Sequence, residues 1–164
     1  MSFCKLHSIN VTEEYVQYLH PAQAHQISEC LYSLFDGLGF EDTLETGMPP
    51  SDFLPSLIEH LLGLVQPKNA WRVENVSSVD NWDSADVKLE SSTGETYRFR
   101  IQGVDDSDWV PVDVFDKING FARKRAKYSL AVFFSDDPYR VIPFTHDAFN
   151  ELEAIIERNT EAYD

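Results

Sequence analysis

Cysteine is nearly missing from this chain: Cys4 and Cys30 are the only two in 164 residues. One possible pair is no disulfide framework, so both read as reduced thiols of a reducing compartment. Cys30 falls in an apolar helical pattern and reads as a small core residue, not as a nucleophile. Positive charge is also scarce. Thirteen Lys and Arg face 28 Asp and Glu, leaving a net charge of −15. A field of that sign repels phosphate backbones and speeds encounter with cationic partners, so direct nucleic-acid binding is not expected. Long apolar runs are missing as well. The longest candidate, residues 57–65, is interrupted by Glu59 and His60, so no membrane span is expected. Residues 1–10 contain Phe3, Leu6 and Ile9 but no continuous apolar stretch flanked by positive charge, so no secretory leader is read there and a cytoplasmic protein is expected.

The motifs that announce catalysis are missing too. The seven glycines fall at turn-like positions, with no P-loop, no dinucleotide pattern and no GxSxG elbow. His7, His20, His25, His60 and His146 are scattered and no CxxC pair occurs, so no metal centre is expected. Asp105-Asp106-Ser107-Asp108 offers oxygen ligands of the calcium type but lacks the glycine and distal glutamate of an EF-hand loop. The expectation is a protein without catalytic residues or cofactor, not an enzyme.

What the chain has is core material. It is 43% hydrophobic and 13% aromatic, with eleven Phe, seven Tyr and three Trp, enough to close one hydrophobic core over 1–164 as a single domain. The periodicity changes near residue 68. Before it, from His20-Pro21, Ala24, Ile27, Leu31, Leu34 and Phe35 share a helical face until Gly37 and Gly39 stop it. A polar connector, residues 41–50, leads to Ser51, the expected cap of a second helix running to Val65. These two helices suggest an antiparallel hairpin over about 1–66.

After residue 68 the preferences turn to strand. Residues 71–77, 85–90 and 96–103 alternate in the manner of a meander, with Tyr97, Phe99 and Ile101 on one face and Arg98, Arg100 and Gln102 on the other. A helix follows from near Pro111, then a hairpin of residues 128–135 and 139–144, then a final helix capped by Thr145. The expected fold class is α+β: a helical hairpin, then an antiparallel or mixed sheet of about five strands with two further helices packed on it.

Three constellations remain. The run Arg123-Lys124-Arg125-Ala126-Lys127 is the best local case for a nucleic-acid contact, but its place at a helix end and the overall charge favour a solvated terminus. Asp86 followed by Arg98, Arg100 and Gln102 resembles the strand face of metal-dependent nucleases, without the second carboxylate and the lysine that such chemistry needs. The informative set is acidic and aromatic. Asp80, Trp82, Asp83 and Asp86 lie between the first two strands and Asp105, Asp106, Asp108 and Trp109 after the third, so a meander would bring both loops to one end of the sheet. Carboxylates beside an exposed Trp suit a partner rich in Lys and Arg. The competing reading makes the Trp residues core plugs and the Asp residues turn formers.

A small acidic α+β protein with clustered Asp and Trp and no catalytic set resembles the immunity proteins of bacterial toxin systems, such as those of contact-dependent growth inhibition. The resemblance is one of general type over the whole chain and rests on no diagnostic motif. It implies a chain that neutralises a basic toxin domain, often a nuclease, by covering its active site or a neighbouring surface. The alternatives are an enzyme or degenerate nuclease-like domain using the face around Asp86, Arg98, Arg100 and Gln102, and an adaptor or regulatory subunit with a helical partner.

Overall fold

A computed structural model describes residues 31–32, 35–66, 70–135 and 137–160. The expected first helix falls largely outside the described residues. Its last turn is present at Leu31 and Tyr32, and Gly37 (φ 72°) and Gly39 (φ 73°) follow it in the left-handed region where the stop was expected. In chain order the elements are β1 (Phe40–Thr43), α1 (Pro50–Val65), β2 (Trp71–Val79), β3 (Ser84–Ser91), β4 (Thr96–Gln102), α2 (Asp113–Arg125), β5 (Tyr128–Phe134), β6 (Pro138–Thr145) and α3 (His146–Thr160). The chain groups into two compact units, Met1–Asp42 with Ala131–Asp164, and Thr43–Leu130.

The fold class is α+β, but its strands form two three-stranded antiparallel sheets, β1-β6-β5 and β2-β3-β4, and not one sheet of about five. The sixth strand, β1, lies in the segment read as a polar connector. Only Phe40 of its four residues is even partly buried, so no alternation marks it, and β6, far along the chain, supplies the pairing. Gly39 shows how close that approach is. A Cβ there would collide with the Val141 carbonyl oxygen and lie 2.9 Å from Ile142 Cγ1.

The N-terminal helical hairpin is corrected as well. Leu31 and Phe35 belong to the core of the first unit, whereas α1 belongs to the second. An amphipathic stripe shows that a face is buried, not against what. The start of α1 also differs. The helix begins at Pro50 behind an extended Pro49 (ψ 155°), because proline at the first position pre-sets the helical φ and the residue before it is driven extended. Ser51 is therefore inside the first turn, where its hydroxyl donates to Asp52 Oδ1 at 2.9 Å.

In the first unit, Phe35 stacks on Phe133 at 5.1 Å and meets Phe144 edge-on at 6.0 Å, with Ala148, Phe149 and Leu152 of α3 closing the core. The expected cap of α3 is present, the Ala148 N–H donating to Thr145 Oγ1 at 3.4 Å. Arg140 of β6 is buried, yet its guanidinium donates to the Tyr32 carbonyl, Asp36 and Glu41, and lies 4.4 Å from the Tyr32 ring centroid. A buried guanidinium is tolerated because its donors are met in this way. Bonds from the Tyr32 hydroxyl and Arg140 hold the Glu41 carboxyl below the usual carboxylate range.

The second unit carries the site. Its sheet is a meander: Val87 pairs with Val76 on one side and Phe99 on the other, and Asp86 with Ser77 and Arg100. The expected alternation of residues 96–102 holds, with the odd positions turned inward and Ile101 fully buried. On the inner face Phe53, Leu54, Ile58, Leu61, Leu62 and Val65 of α1 pack toward β2, while α2 packs toward β4. Trp71 and Tyr97 both meet Phe121 edge-on, at 5.3 and 5.2 Å. Asn119 of α2 is buried and acts as a substitute strand: its amide donates to the Leu130 carbonyl at 2.8 Å and accepts the Leu130 N–H at 2.7 Å.

Candidate functional site

The β2–β3 turn and the segment after β4 meet at one end of the meander. The Asp106 N–H donates to the Trp82 carbonyl at 3.3 Å and the Val104 N–H to the Asp83 carbonyl at 3.4 Å. Within the turn, the Trp82 N–H donates to Ser78 Oγ at 2.8 Å, and within the later loop the Trp109 N–H donates to Ser107 Oγ at 3.0 Å. Both acidic loops are thus parts of one surface, as the meander implied.

The backbone there is unusual. Among the described residues, five non-glycine positions have positive φ: Asp80 (51°), Asn81 (58°), Trp82 (71°), Asp105 (57°) and Asp106 (44°). All five lie in these two loops. Short Asp and Asn side chains tolerate the left-handed region by bonding locally, whereas for L-residues generally it costs about 1–2 kcal/mol each. Trp82 has no such local compensation, and its conformation persists because the surrounding bonds fix it.

A third strand of chain locks the later loop. The Thr46 N–H and hydroxyl both donate to the Asp108 carbonyl, at 2.8 and 2.6 Å, and the Val110 N–H donates to the Leu44 carbonyl at 2.8 Å, so that Glu45 and Trp109 face each other in an isolated antiparallel bridge. The Met48 N–H in turn donates to Thr46 Oγ1 at 3.2 Å. These partners were missed in the sequence reading. Thr46 and Asp108 are 62 residues apart and no local pattern links them.

Of the expected partner-binding residues, Asp80, Asp83, Asp105 and Asp106 are exposed, Asp108 and Trp82 half-buried, and Trp109 47% exposed. The reading of both Trp residues as core plugs therefore fails for Trp109; the Trp that fills the core is Trp71. Met48 and Val112 are also large, apolar and exposed. Among the described residues none of the five aspartates makes an ion pair. Nor does any group of three or more His, Cys, Asp or Glu there have the arrangement to hold a metal ion.

The outer face of the same sheet is organised in the opposite way. Arg100 reaches Asp86 through Nε and a terminal nitrogen at 2.7 and 3.0 Å, Arg72 reaches Glu90 at 2.7 Å, and Lys88 reaches Glu74 at 2.6 Å. Hydrogen bonds from Arg100 and Arg72 hold the Asp86 and Glu90 carboxyls below their ordinary range. Both oxygens of Asp86 are engaged by Arg100, and Gln102 contributes its backbone N–H to Asp113 at 2.8 Å. The basic run at the end of α2 is spread over separate partners. Arg125 lies 3.9 Å from Glu95, while Lys124 and Lys127 lie over the rings of Tyr97 and Tyr128 at 6.0 and 5.3 Å.

No known protein family, curated protein or solved structure matches this chain. Among the described residues no helix is long and apolar enough to cross a membrane.

Proposed function

We propose that this chain is a cytoplasmic binding protein of the toxin-immunity kind, which neutralises a basic protein partner, a toxin domain and in particular a nuclease, through the surface built from Asp80, Trp82, Asp83, Asp105, Asp106, Asp108 and Trp109. The observation that carries this reading is the pairing of the two loops. Backbone bonds from Asp106 to Trp82 and from Val104 to Asp83 join two loops that carry five carboxylates, without ion pairs among the described residues, and the half-exposed Trp109. Such a surface supplies steering at long range, charge-assisted hydrogen bonds on contact and an aromatic anchor. A site fixed before encounter also loses little entropy on binding.

The strand-face alternative has less support. Asp86 would have to surrender its two bonds to Arg100 before it could hold a metal ion for hydrolysis. The test is to capture the tagged protein's partner from its own host, identify it, and titrate the complex with salt. A stoichiometric basic protein, released as salt rises and bound far less by the Asp105→Asn, Asp106→Asn, Asp108→Asn triple variant, supports the reading. A partner whose affinity ignores both salt and these substitutions overturns it.

A further inference from the structure

We propose that the outer face of the β2-β3-β4 sheet carries a second site, a depression around Arg98 and Lys88 that binds a small oxyanion, the phosphate or carboxylate group of a low-molecular-weight ligand. Arg98 and Lys88 stand directly opposite each other in the β3–β4 register. Like charges so placed across a ladder repel and destabilise the pairing. The carboxylates of this face relieve it only in part: the Asp86 carboxylate also attracts Arg98, but its two oxygens are bonded to Arg100, and the four cations Arg72, Lys88, Arg98 and Arg100 face only the three carboxylates Glu74, Asp86 and Glu90. Asp86 is taken by Arg100, Glu90 by Arg72, and Glu74 by Lys88. Arg98 has no ion pair and no side-chain hydrogen bond among the described residues. In a chain where carboxylates outnumber cations 28 to 13, an arginine whose hydrogen-bonding fork meets no carboxylate directly faces a site that an outside anion can fill.

The shape and the remaining lining agree with that chemistry. The depression measures about 390 Å³ and is lined by Asn75, Ser77, Asp86, Lys88 and Arg98, with Val87 and Phe99 beneath. That volume lies at the small end of the range for ligand pockets. The ladder is irregular at this point: a bulge between Val73 and Asn75 shifts the register so that Asn75, not Glu74, stands opposite Lys88. Bulges re-aim side chains, and this one puts the Asn75 amide directly opposite Lys88, while Glu74 still reaches the Lys88 ammonium at 2.6 Å. Arg98 offers the planar fork that fits an oxyanion, Lys88 a second charge, and Asn75 and Ser77 neutral hydrogen-bonding groups. Asp86, although engaged by Arg100, retains acceptor capacity at the rim and favours a ligand with a hydroxyl or amino group next to its anionic end.

The site is separate from the loop surface, and its test does not require the partner. The full chain, labelled with 15N, is titrated with inorganic phosphate and separately with acetate at constant ionic strength, with chloride as the reference. The expected result is a saturable shift of the Arg98 Nε–H and of the amides of Asn75, Ser77, Lys88 and Arg98. Arg98→Gln should weaken it by about tenfold or more, Arg98→Lys by less, and Arg123→Gln not at all. Binding of phosphate alone identifies a phosphate ester as the ligand class, and binding of acetate alone a carboxylic acid. Binding of both leaves the oxyanion itself as the recognised group. The proposal is overturned if neither anion gives a saturable shift. It is equally overturned if the shifts follow the cations of residues 123–127 and survive undiminished in a folded Arg98→Gln protein.

Discussion

The loop end and the outer face of one sheet treat charge in opposite ways. On the face, Arg72, Lys88 and Arg100 each meet a carboxylate, and the strand register sets which one. At the loop end, five aspartates are held within two bonded loops and none makes an ion pair among the described residues. The chain's excess negative charge is therefore not an even coat. A sheet that pairs every carboxylate of its own face leaves its end to attract whatever positive surface approaches, and such unpaired carboxylates act at distances where paired ones do not.

The comparison can be broken most severely from beneath. Ile101 is fully buried under both regions, and Ile101→Ala should lower stability by about 2–5 kcal/mol in denaturant unfolding, disturbing face and loop end together. If only one of them changed in the amide spectrum, the two would not share a support. Removing the anchor comes next. Trp109→Ala should weaken the captured complex by about 2 kcal/mol, or roughly thirtyfold in calorimetry, because aromatic anchors dominate such interfaces. Its effect on folding stability should stay small, since the side chain is half exposed. A third variant sharpens the electrostatic contrast. The Asp105→Asn, Asp106→Asn, Asp108→Asn protein should associate about tenfold more slowly at low salt, with little change in dissociation, when followed by stopped flow.

The smallest effect is expected on the face. The Asp86 carboxyl is held below its ordinary value of 3.8 by Arg100, so its contribution to stability is complete above that value and is lost as pH falls through the lower, folded one. Wild type should therefore lose stability more steeply than Asp86→Asn below about pH 4 in acid titration of the denaturation midpoint. The pair is half exposed, so the difference should be slight. Equal slopes would mean that Arg100 does not hold Asp86 in solution.

How much of this was legible in the sequence depends on the range of the interaction. The alternation at Tyr97, Phe99 and Ile101 declared both the strand and its inner face, and the meander then implied that the loops at 80–83 and 105–109 would meet. Periodicity says which way a side chain faces and nothing about which strand lies alongside, so β1 and the division into two sheets were not legible. The Ser51 cap failed for a local reason, the stronger steric preference of Pro49-Pro50. The bridge between Glu45 and Trp109 and the bulge that brings Asn75 opposite Lys88 leave no mark in one sequence, because each is fixed by the partner strand.

The most direct test of the central claim is the salt dependence of the captured complex, measured for the wild type and for the triple Asn variant side by side. The account predicts a wild-type affinity that falls steeply as salt rises and a variant affinity that is weaker at low salt and nearly flat. Parallel curves of equal slope would contradict it, since the aspartates of this surface would then play no part in recognising the partner.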